Sequence, residues 1–314
     1  GVTPFYVLAL IFNSFIKGRY RFVNGGSQIA KLLMKKIGEH GGEVLRRKEV
    51  VSARFNESGK ISSVVCSDGS EFHCDYVISN LHPGETIRLF GKERFKTAYA
   101  NRIAALPNTI ASYMVYISLH ENRLPYFNSN YYDYYTDRIW DEEFRFSENW
   151  PQMTFTSAQV SKHTGKYAES ISVMCYLDFK EFERWENSVR TVVKEGTRDE
   201  HYEAFKKMCE QRVLDRMEER FPGIRSMVKE MYSSTPITYR DYVSTPNGSM
   251  YGIQKDFNNT TRTQINTRTH IPNLFLTGQN IIFHGILGAT IGALVTSFNF
   301  VNNKQVIQNI KRYD

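Results

Sequence analysis

Helical spacing of apolar residues is clearest near the start of the chain. A helix is predicted from Ser27, a good N-cap, to Gly41-Gly42, where a glycine ends helices well. Its apolar face is formed by Ile29, Leu32, Leu33 and Ile37. The stretch Phe5–Ile16 is apolar except at Asn13 and Ser14 and is also predicted to be helical. It is too short to span a bilayer, so burial in the core is favoured, with contact to a membrane surface as the alternative.

Residues 21–80 otherwise carry strand and turn signals. The predicted strands are Arg21–Val23, Val44–Phe55, Ile61–Cys66, Glu71–Cys74 and Asp75–Asn80. Two of the turns between them, Asn56–Gly59 and Ser67–Ser70, contain the Asn, Asp and Gly residues that hairpins require. His82-Pro83-Gly84 is interpreted as a stop after the last strand.

The rest of the chain contains both segments with the spacing of strands and segments with the spacing of helices. Strands are predicted at Thr109–Leu119 and Ser170–Leu177, and the Tyr-rich stretch Asn128–Trp140 is predicted to be irregular. His201–Phe221 is predicted to be an amphipathic helix that ends at Pro222-Gly223. The last part is interpreted as a strand, Asn273–Thr277, then a loop, and then a helix that begins at His284.

Composition narrows the class of protein. The chain has 314 residues, 41% hydrophobic and 23% charged, which is ordinary for a soluble globular protein. Its net charge is +7, but the basic residues are interleaved with acids, so nucleic-acid binding is not predicted. The four cysteines form no zinc-type cluster and no disulfide framework, so no metal site and a reducing, cytoplasmic compartment are expected. Aromatic residues make up 14% and indicate either core or an apolar cavity, core being favoured.

The C-terminal helix has one side that is nearly bare. Small residues recur along it at Gly285, Gly288, Ala289, Gly292 and Ala293. They permit close approach either of another backbone or of a flat ligand, and the residues alone do not decide between the two. The start of the helix also offers unpaired N–H groups and a partial positive charge, which suit a phosphate or an electron-rich ring edge.

Several segments resemble the family of phytoene desaturases, carotenoid isomerases and retinol saturases. The segment Leu274–Asn280 followed by His284–Ala289 is similar to the C-terminal FAD-contacting motif of this family. The resemblance continues, in the order in which the family has them, at Gly25–Gln28, Gly41–Val44, Tyr76–Pro83 and Pro246–Gly252. The matches cover most of the chain.

The resemblance implies an FAD site. Gly278 and Asn280 would lie near the pyrophosphate and the ribityl chain, although many relatives have an acid at the latter position. The N–H groups of Gly285, Ile286 and Leu287 would face the pyrimidine edge of the flavin, where electron density accumulates on reduction. The adenosine end would meet the backbone of Val50 or Val51 and lie near Asn80. His284 is expected to cap or pack rather than touch the flavin, and no catalytic side chain is predicted.

One family feature is absent from the sequence. No Gly-rich GxGxxG turn follows a strand within residues 1–314, and in the family this turn cradles the FAD pyrophosphate. We therefore expect this polypeptide alone to bind FAD weakly or not at all.

The fold implied is α/β, with two domains in the manner of FAD-linked oxidoreductases. An incomplete FAD-binding domain would comprise residues 20–89 and 239–314, and residues 90–238 would form a mixed-sheet substrate domain. Residues 1–19 would be an apolar helix on the substrate side or a lid. Tyr113, Tyr116 and Tyr131 are candidate walls of the substrate cavity.

The activity implied is saturation, desaturation or isomerisation of a C=C bond in an apolar polyene, with NAD(P)H as a candidate electron donor. A rival is a non-catalytic lipid-binding protein on the same scaffold, as in the Rab GDP-dissociation inhibitors. A flavin amine oxidase ranks third, because Phe283 is the one aromatic residue close to the C-terminal motif and amine oxidases place several around the flavin.

Overall fold

The computed structural model describes residues 3–18, 20–22, 25–137, 145–192, 194, 196 and 198–311. Its helices are α1 (Phe5–Lys17), α2 (Ser27–Glu39), α3 (Pro83–Phe90), α4 (Thr97–Ala104), α5 (Glu200–Arg220), α6 (Pro236–Val243), α7 (Thr260–Thr263), α8 (Gly285–Ser297) and α9 (Asn303–Lys311). Its strands are β1 (Val50–Phe55), β2 (Ile61–Cys66), β3 (Glu71–His73), β4 (Val77–Ser79), β5 (Ser112–Leu119), β6 (Tyr131–Tyr134), β7 (Met153–Val160), β8 (Ala168–Tyr176), β9 (Val228–Ser234) and β10 (Leu274–Leu276).

The strands form three sheets. The largest is antiparallel, with the order β6-β7-β8-β5-β9. A smaller antiparallel meander contains β1, β2 and β3, and β4 pairs in parallel with β10. Residues on a strand alternate between its two faces. In β5 and β8 buried residues alternate with more accessible ones, so one face of the large sheet is buried and the other is more accessible.

Two hydrophobic cores organise these elements. The first, the core of what we call the sheet unit, lies between the large sheet and α5 and includes Tyr113, Val173 and Met217, each 0% exposed. The second, the core of the parallel-strand unit, joins residues 61–106 to residues 253–281. The domain boundary at residue 90 stays a prediction, although residues up to Leu106 pack in the second core.

Helix α1 forms as its apolar run predicts, but it is not buried. Val7 is the buried residue of this helix, whereas Phe5 and Ile16 are 80% and 82% exposed. The preference for a core helix was therefore wrong. Among the described residues no helix is both long and apolar enough to cross a bilayer. Membrane-surface contact through α1 stays a prediction.

Several local predictions differ from the structure. The predicted strand from Val44 begins at Val50, and residues 20–22 are not a strand, while residues 23 and 24 lie outside the described part of the chain. The Tyr-rich stretch contains β6, although its last three residues, 138–140, also lie outside that part. Ser27 is the first residue of α2 rather than its N-cap. Helices α2, α5 and α8 lie close to where their spacing predicts them.

Candidate functional site

Two parallel strands end at one edge of the parallel-strand unit. Ser79 closes β4 and pairs with Leu276, which closes β10. The Thr277 N–H continues the pairing by donating to the Ser79 carbonyl at 2.9 Å. In open α/β sheets, ligands bind outside the carboxyl ends of parallel strands, so the loops that begin at Asn80 and Gly278 lie where a site is expected.

Asn80 and Gly278, both predicted site residues, are in contact. A Cβ built on Gly278 would lie 1.8 Å from the Asn80 Oδ1, and Gly278 has φ of 93°. Only glycine satisfies both conditions, because other residues rarely adopt this φ and would collide with the amide. The structure therefore brings the two predicted residues together at the ends of β4 and β10.

Asn280 is buried and bonds a neighbouring segment of the chain. Its side chain is 5% exposed, and its Oδ1 accepts a hydrogen bond from the Ile253 N–H at 2.9 Å. A Cβ on Gly252 would lie 2.1 Å from the same oxygen. The amide oxygen of Asn280 thus holds the segment at Ile253, and the predicted contact of Asn280 with the ribityl chain stays a prediction.

The start of α8 is open, as predicted. Gly285 has φ of 73° and no atom within 4 Å of a Cβ built on it. Ile286 and Leu287 are 66% and 47% exposed, and His284, at the N-cap, makes no side-chain capping bond. Within the described part of the chain, the N–H groups of Gly285, Ile286 and Leu287, the first three residues of α8, donate to no acceptor. These donors can therefore face a ligand.

Further along α8, the bare side packs against backbone. A Cβ on Gly288 would lie 2.1 Å from the Phe283 carbonyl oxygen, and one on Gly292 would lie 2.8 Å from the Gly278 carbonyl oxygen. Of the two interpretations left open by the sequence, close approach of another backbone holds at these two glycines. Residues 285–287, with their open N–H groups, therefore remain candidates for ligand contact on this helix.

His284 packs rather than caps. Its ring stacks on Tyr251, with centroids 5.4 Å apart, and its Nε2 lies 2.8 Å from the Ile253 carbonyl oxygen. Because a carbonyl only accepts, Nε2 carries the hydrogen. Burial lowers the pKa of His284, which favours the neutral ring.

Val50 and Val51 lie at an irregular point of β1. Val50 pairs with Cys66 and Ser52 with Val65, so Val51 is an extra residue in the ladder and forms a bulge. Its side chain is 48% exposed. Since a bulge leaves main-chain groups unpaired, Val51 fits the predicted backbone contact with adenine, a contact that stays a prediction.

The three predicted cavity tyrosines lie on different faces of the large sheet. Tyr113 is fully buried against α5, and its hydroxyl donates to the Lys206 carbonyl at 2.8 Å. Tyr131 lies on the same face and packs against Phe221, with centroids 5.9 Å apart. Neither can line a cavity on the accessible face. Tyr116 points to that face and stacks on Tyr232 at 5.0 Å.

Aromatic side chains from four strands share the accessible face with Tyr116. We call this set the aromatic face; it consists of Tyr116, Tyr132, Phe155, Tyr176 and Tyr232. Burial raises the pKa of Tyr176, and the neighbouring phenol of Tyr251 raises it further. Tyr251 in turn stacks on His284, so the aromatic face continues to the start of α8.

Sequence reasoning missed two residues of this region. Tyr251 lies in the Pro246–Gly252 motif, which was recognised, but its ring was given no role. Lys255 was not singled out, although it is 4% exposed, because nothing in its neighbourhood in the sequence marks it as buried. Among the described residues no group of three His, Cys, Asp or Glu side chains could hold a metal ion.

Comparison with known proteins places this geometry in a family. The pattern of the family described as flavin containing amine oxidoreductase matches residues 6–294. The all-trans-retinol 13,14-reductase of Homo sapiens is 26% identical over 343 residues, covering 100% of this chain and 55% of the relative. An inactive all-trans-retinol 13,14-reductase of Danio rerio is 24% identical and covers 91% of this chain and 50% of the relative. The chain thus spans about half the length of these relatives.

A solved structure supports the fold. An oxidoreductase from Methanosarcina mazei superposes with a TM-score of 0.51 at 16% identity, over 88% of this chain and 54% of that chain. The predicted α/β fold of FAD-linked oxidoreductases is confirmed. The chain therefore belongs to the flavin-containing amine oxidoreductase family and, within it, is similar to retinol 13,14-reductases.

Proposed function

We propose that residues 1–314 are part of an FAD-dependent oxidoreductase that acts on a C=C bond of an apolar polyene or isoprenoid. One observation carries the proposal. The open N–H groups of Gly285, Ile286 and Leu287 lie on the loop-and-helix that follows β10, at the edge where β4 also ends. The aromatic face leads to this same place.

The residues present fit part of an FAD molecule. The free N–H donors and the open position at Gly285 suit the electron-rich edge of a flavin ring. The contact between Asn80 and Gly278 suits an extended chain that crosses the strand ends. A Gly-rich turn for the pyrophosphate is absent from residues 1–314, so tight binding requires polypeptide that supplies one.

When bound, the flavin would supply the redox chemistry, and the protein would supply orientation and a dry cleft. The N–H groups of residues 285–287 would orient the ring edge. Tyr116 and Tyr232 offer flat apolar surface for the substrate. Helix α1 packs through Tyr6 on Phe283, with ring centroids 5.7 Å apart, and so lies beside the loop that precedes α8. Saturation, as the name of the human relative indicates for that protein, is the favoured direction. NAD(P)H as electron donor stays a prediction.

A non-catalytic lipid-binding role is the second candidate. One relative bears the name of an inactive reductase, so this scaffold occurs in a protein without that activity. Under this role the chain would hold an apolar ligand on the aromatic face without FAD. Turnover of all-trans-retinol, compared with turnover of primary amines and with flavin-independent binding of a prenylated peptide, separates the enzyme, amine-oxidase and binding roles.

The first test is flavin binding. Residues 1–314 purified alone should carry little FAD, whereas the same chain extended by a strand, Gly-rich turn and helix should carry one FAD per chain. Absorbance of the released flavin measures the ratio. Stoichiometric FAD on residues 1–314 would contradict the predicted weakness, and no FAD on the extended protein would contradict the proposed function.

A matched pair of glycine variants tests the site itself. Gly285→Ala should weaken FAD binding by about tenfold or more, because a methyl group enters the space at the donors, a loss of about 1.4 kcal/mol. Gly59→Ala is the control: Gly59 has φ of 75° and, like Gly285, no atom within 4 Å of a built Cβ. Both substitutions strain the backbone by about 1–2 kcal/mol. Equal loss of FAD in both variants would show that strain, not the site, is responsible.

A further inference from the structure

Lys255 is a buried cation that the proposed chemistry does not use. Its side chain donates to the main-chain oxygens of Thr263 at 2.9 Å, Asn280 at 2.8 Å and Ile281 at 3.4 Å. No carboxylate pairs with it in the part of the chain that the structure describes. Burying an ammonium without a counter-charge is costly, since carbonyl dipoles replace only part of its hydration.

The position of Lys255 links it to the candidate site. Two of its three acceptors, Asn280 and Ile281, belong to the loop that runs from β10 to α8. The neighbouring Ile253 holds the same loop, because its N–H donates to Asn280 and its carbonyl accepts from His284. A neutral donor could hold a loop in this way without a desolvated charge. The charge itself therefore calls for an explanation.

The charge of Lys255 reaches the start of α8. Burial lowers the pKa of Lys255 to about 8, so its charged form still dominates at neutral pH. Burial lowers the pKa of His284, and the charge of Lys255 lowers it further. His284 directly precedes the open donors at 285–287. The ammonium thus adds to the positive potential of the helix N-terminus at the point where those donors face outward.

We propose that Lys255 is an electrostatic positioning residue, whose ammonium behind the 278–284 loop favours the reduced, more negative state of a flavin held at residues 285–287. This inference rests on the proposed function. It adds to that function a role for Lys255, which tunes the redox equilibrium of the flavin through its charge rather than through contact.

The first experiment needs no flavin. Ring NMR of His284 in residues 1–314 should show a higher pKa in Lys255→Met and Lys255→Gln than in the wild type, because a nearby positive charge is lost. Lys229→Met, which removes an exposed lysine from β9, is the matched control and should leave the His284 pKa unchanged. Lys255→Gln retains two donors for the loop and so keeps the test valid if Lys255→Met fails to fold. An unchanged His284 pKa in Lys255→Gln would overturn the proposal.

The second experiment uses the FAD-loaded extended protein. The redox equilibrium with a reference dye should shift toward oxidised flavin by on the order of tenfold in Lys255→Gln, and should stay near the wild-type value in Lys255→Arg and Lys229→Met. A purely structural role would lower stability in Lys255→Gln and leave this equilibrium unmoved, which would refute the inference while the proposed function stands. Failure of the wild-type extended protein to bind FAD would refute both.

Discussion

The sheet unit and the parallel-strand unit differ in how completely their strands are buried. In the sheet unit, Val115, Ile117 and Val173 are all 0% exposed beneath α5. In the parallel-strand unit, β4 and β10 pair over only three residues, and Ile78 on β4 is 52% exposed. A two-stranded sheet of this length is not stable by itself in water. The difference teaches that the parallel-strand unit, although it has a buried core of its own, leaves the ends of its paired strands open as a binding edge.

The largest effect that would sharpen this comparison is expected at Asp241 in the sheet unit. Its side chain is 0% exposed and pairs with Arg198, which is 4% exposed, and with Arg240. It also accepts from the Arg190 N–H at 2.9 Å. Asp241→Ala leaves these groups buried without a counter-charge, so unfolding should become easier by about 3–5 kcal/mol in urea titrations.

The control for Asp241 is an exposed pair of the same chemistry. Asp215 pairs with Arg225, and their side chains are 59% and 44% exposed. Asp215→Ala should cost no more than about 1 kcal/mol, since water screens the pair. Equal costs in the two variants would mean that the Asp241 network is hydrated in solution and adds nothing special to the sheet unit.

A smaller effect is expected when one leucine is substituted in each unit. Leu177, which directly follows β8, is 0% exposed, whereas Leu287, at the start of α8, is 47% exposed. Leu177→Ala should lower the free energy of unfolding by about 2–5 kcal/mol through lost burial and a cavity. Leu287→Ala should change it by less than about 0.5 kcal/mol. A large loss of stability in Leu287→Ala, measured by thermal or urea unfolding, would show that the start of α8 contributes to stability and not only to binding.

The smallest effect concerns pH and the N-cap of α3. His82 accepts from the Gly84 N–H through Nδ1 at 3.1 Å, and its Nε2 lies 2.9 Å from the Asn108 Oδ1, so the neutral ring uses both nitrogens. Burial lowers the pKa of His82 in the folded chain. The unfolded chain therefore takes up the proton first. The stabilisation is complete above the unfolded pKa of about 6.5 and is lost as pH falls below it.

Urea midpoints at about pH 7.5 and about pH 5.5 measure this dependence. His82→Asn should flatten the fall in stability between them, because Asn caps helices without titrating, while the cap itself is worth about 0.5–2 kcal/mol. Any dependence of stability on pH that remains in this variant comes from other groups, His284 among them. An equally steep fall in His82→Asn would show that protonation of His82 is not what destabilises the parallel-strand unit at low pH.

Periodic elements were predictable, and elements that open with proline were not. Helices α2, α5 and α8 follow the spacing of their apolar residues. In contrast, α3 begins at Pro83, which was interpreted as a stop, and α6 begins at Pro236, where no helix was predicted. Proline is favoured in the first helical turn, because the N–H that it lacks has no partner there in any case. A proline therefore marks either a break or a beginning, and the residues on its C-terminal side decide which.

The site was predictable as segments but not as contacts. The sequence predicts open donors at the start of α8, and the structure has them at residues 285–287. That Asn80 touches Gly278, and that Asn280 bonds Ile253, depends on how β4, β10 and the segment around Ile253 meet. Such contacts join residues far apart in the chain, and no local pattern encodes them. The two faces of β5, with Tyr113 on one and Tyr116 on the other, could have been assigned by alternation once the buried face was known.

The packing of Gly292 against the Gly278 carbonyl bears on how this protein could be re-engineered. The position of α8 against the end of β10 is set by this contact between main chains and by the Thr296 hydroxyl, which donates to the Leu276 carbonyl, so it does not depend on the side chains of the aromatic face. The aromatic face can therefore be redesigned for ligands of other shapes while the amide donors keep their place. Substrate choice and cofactor placement are, in this respect, separable traits.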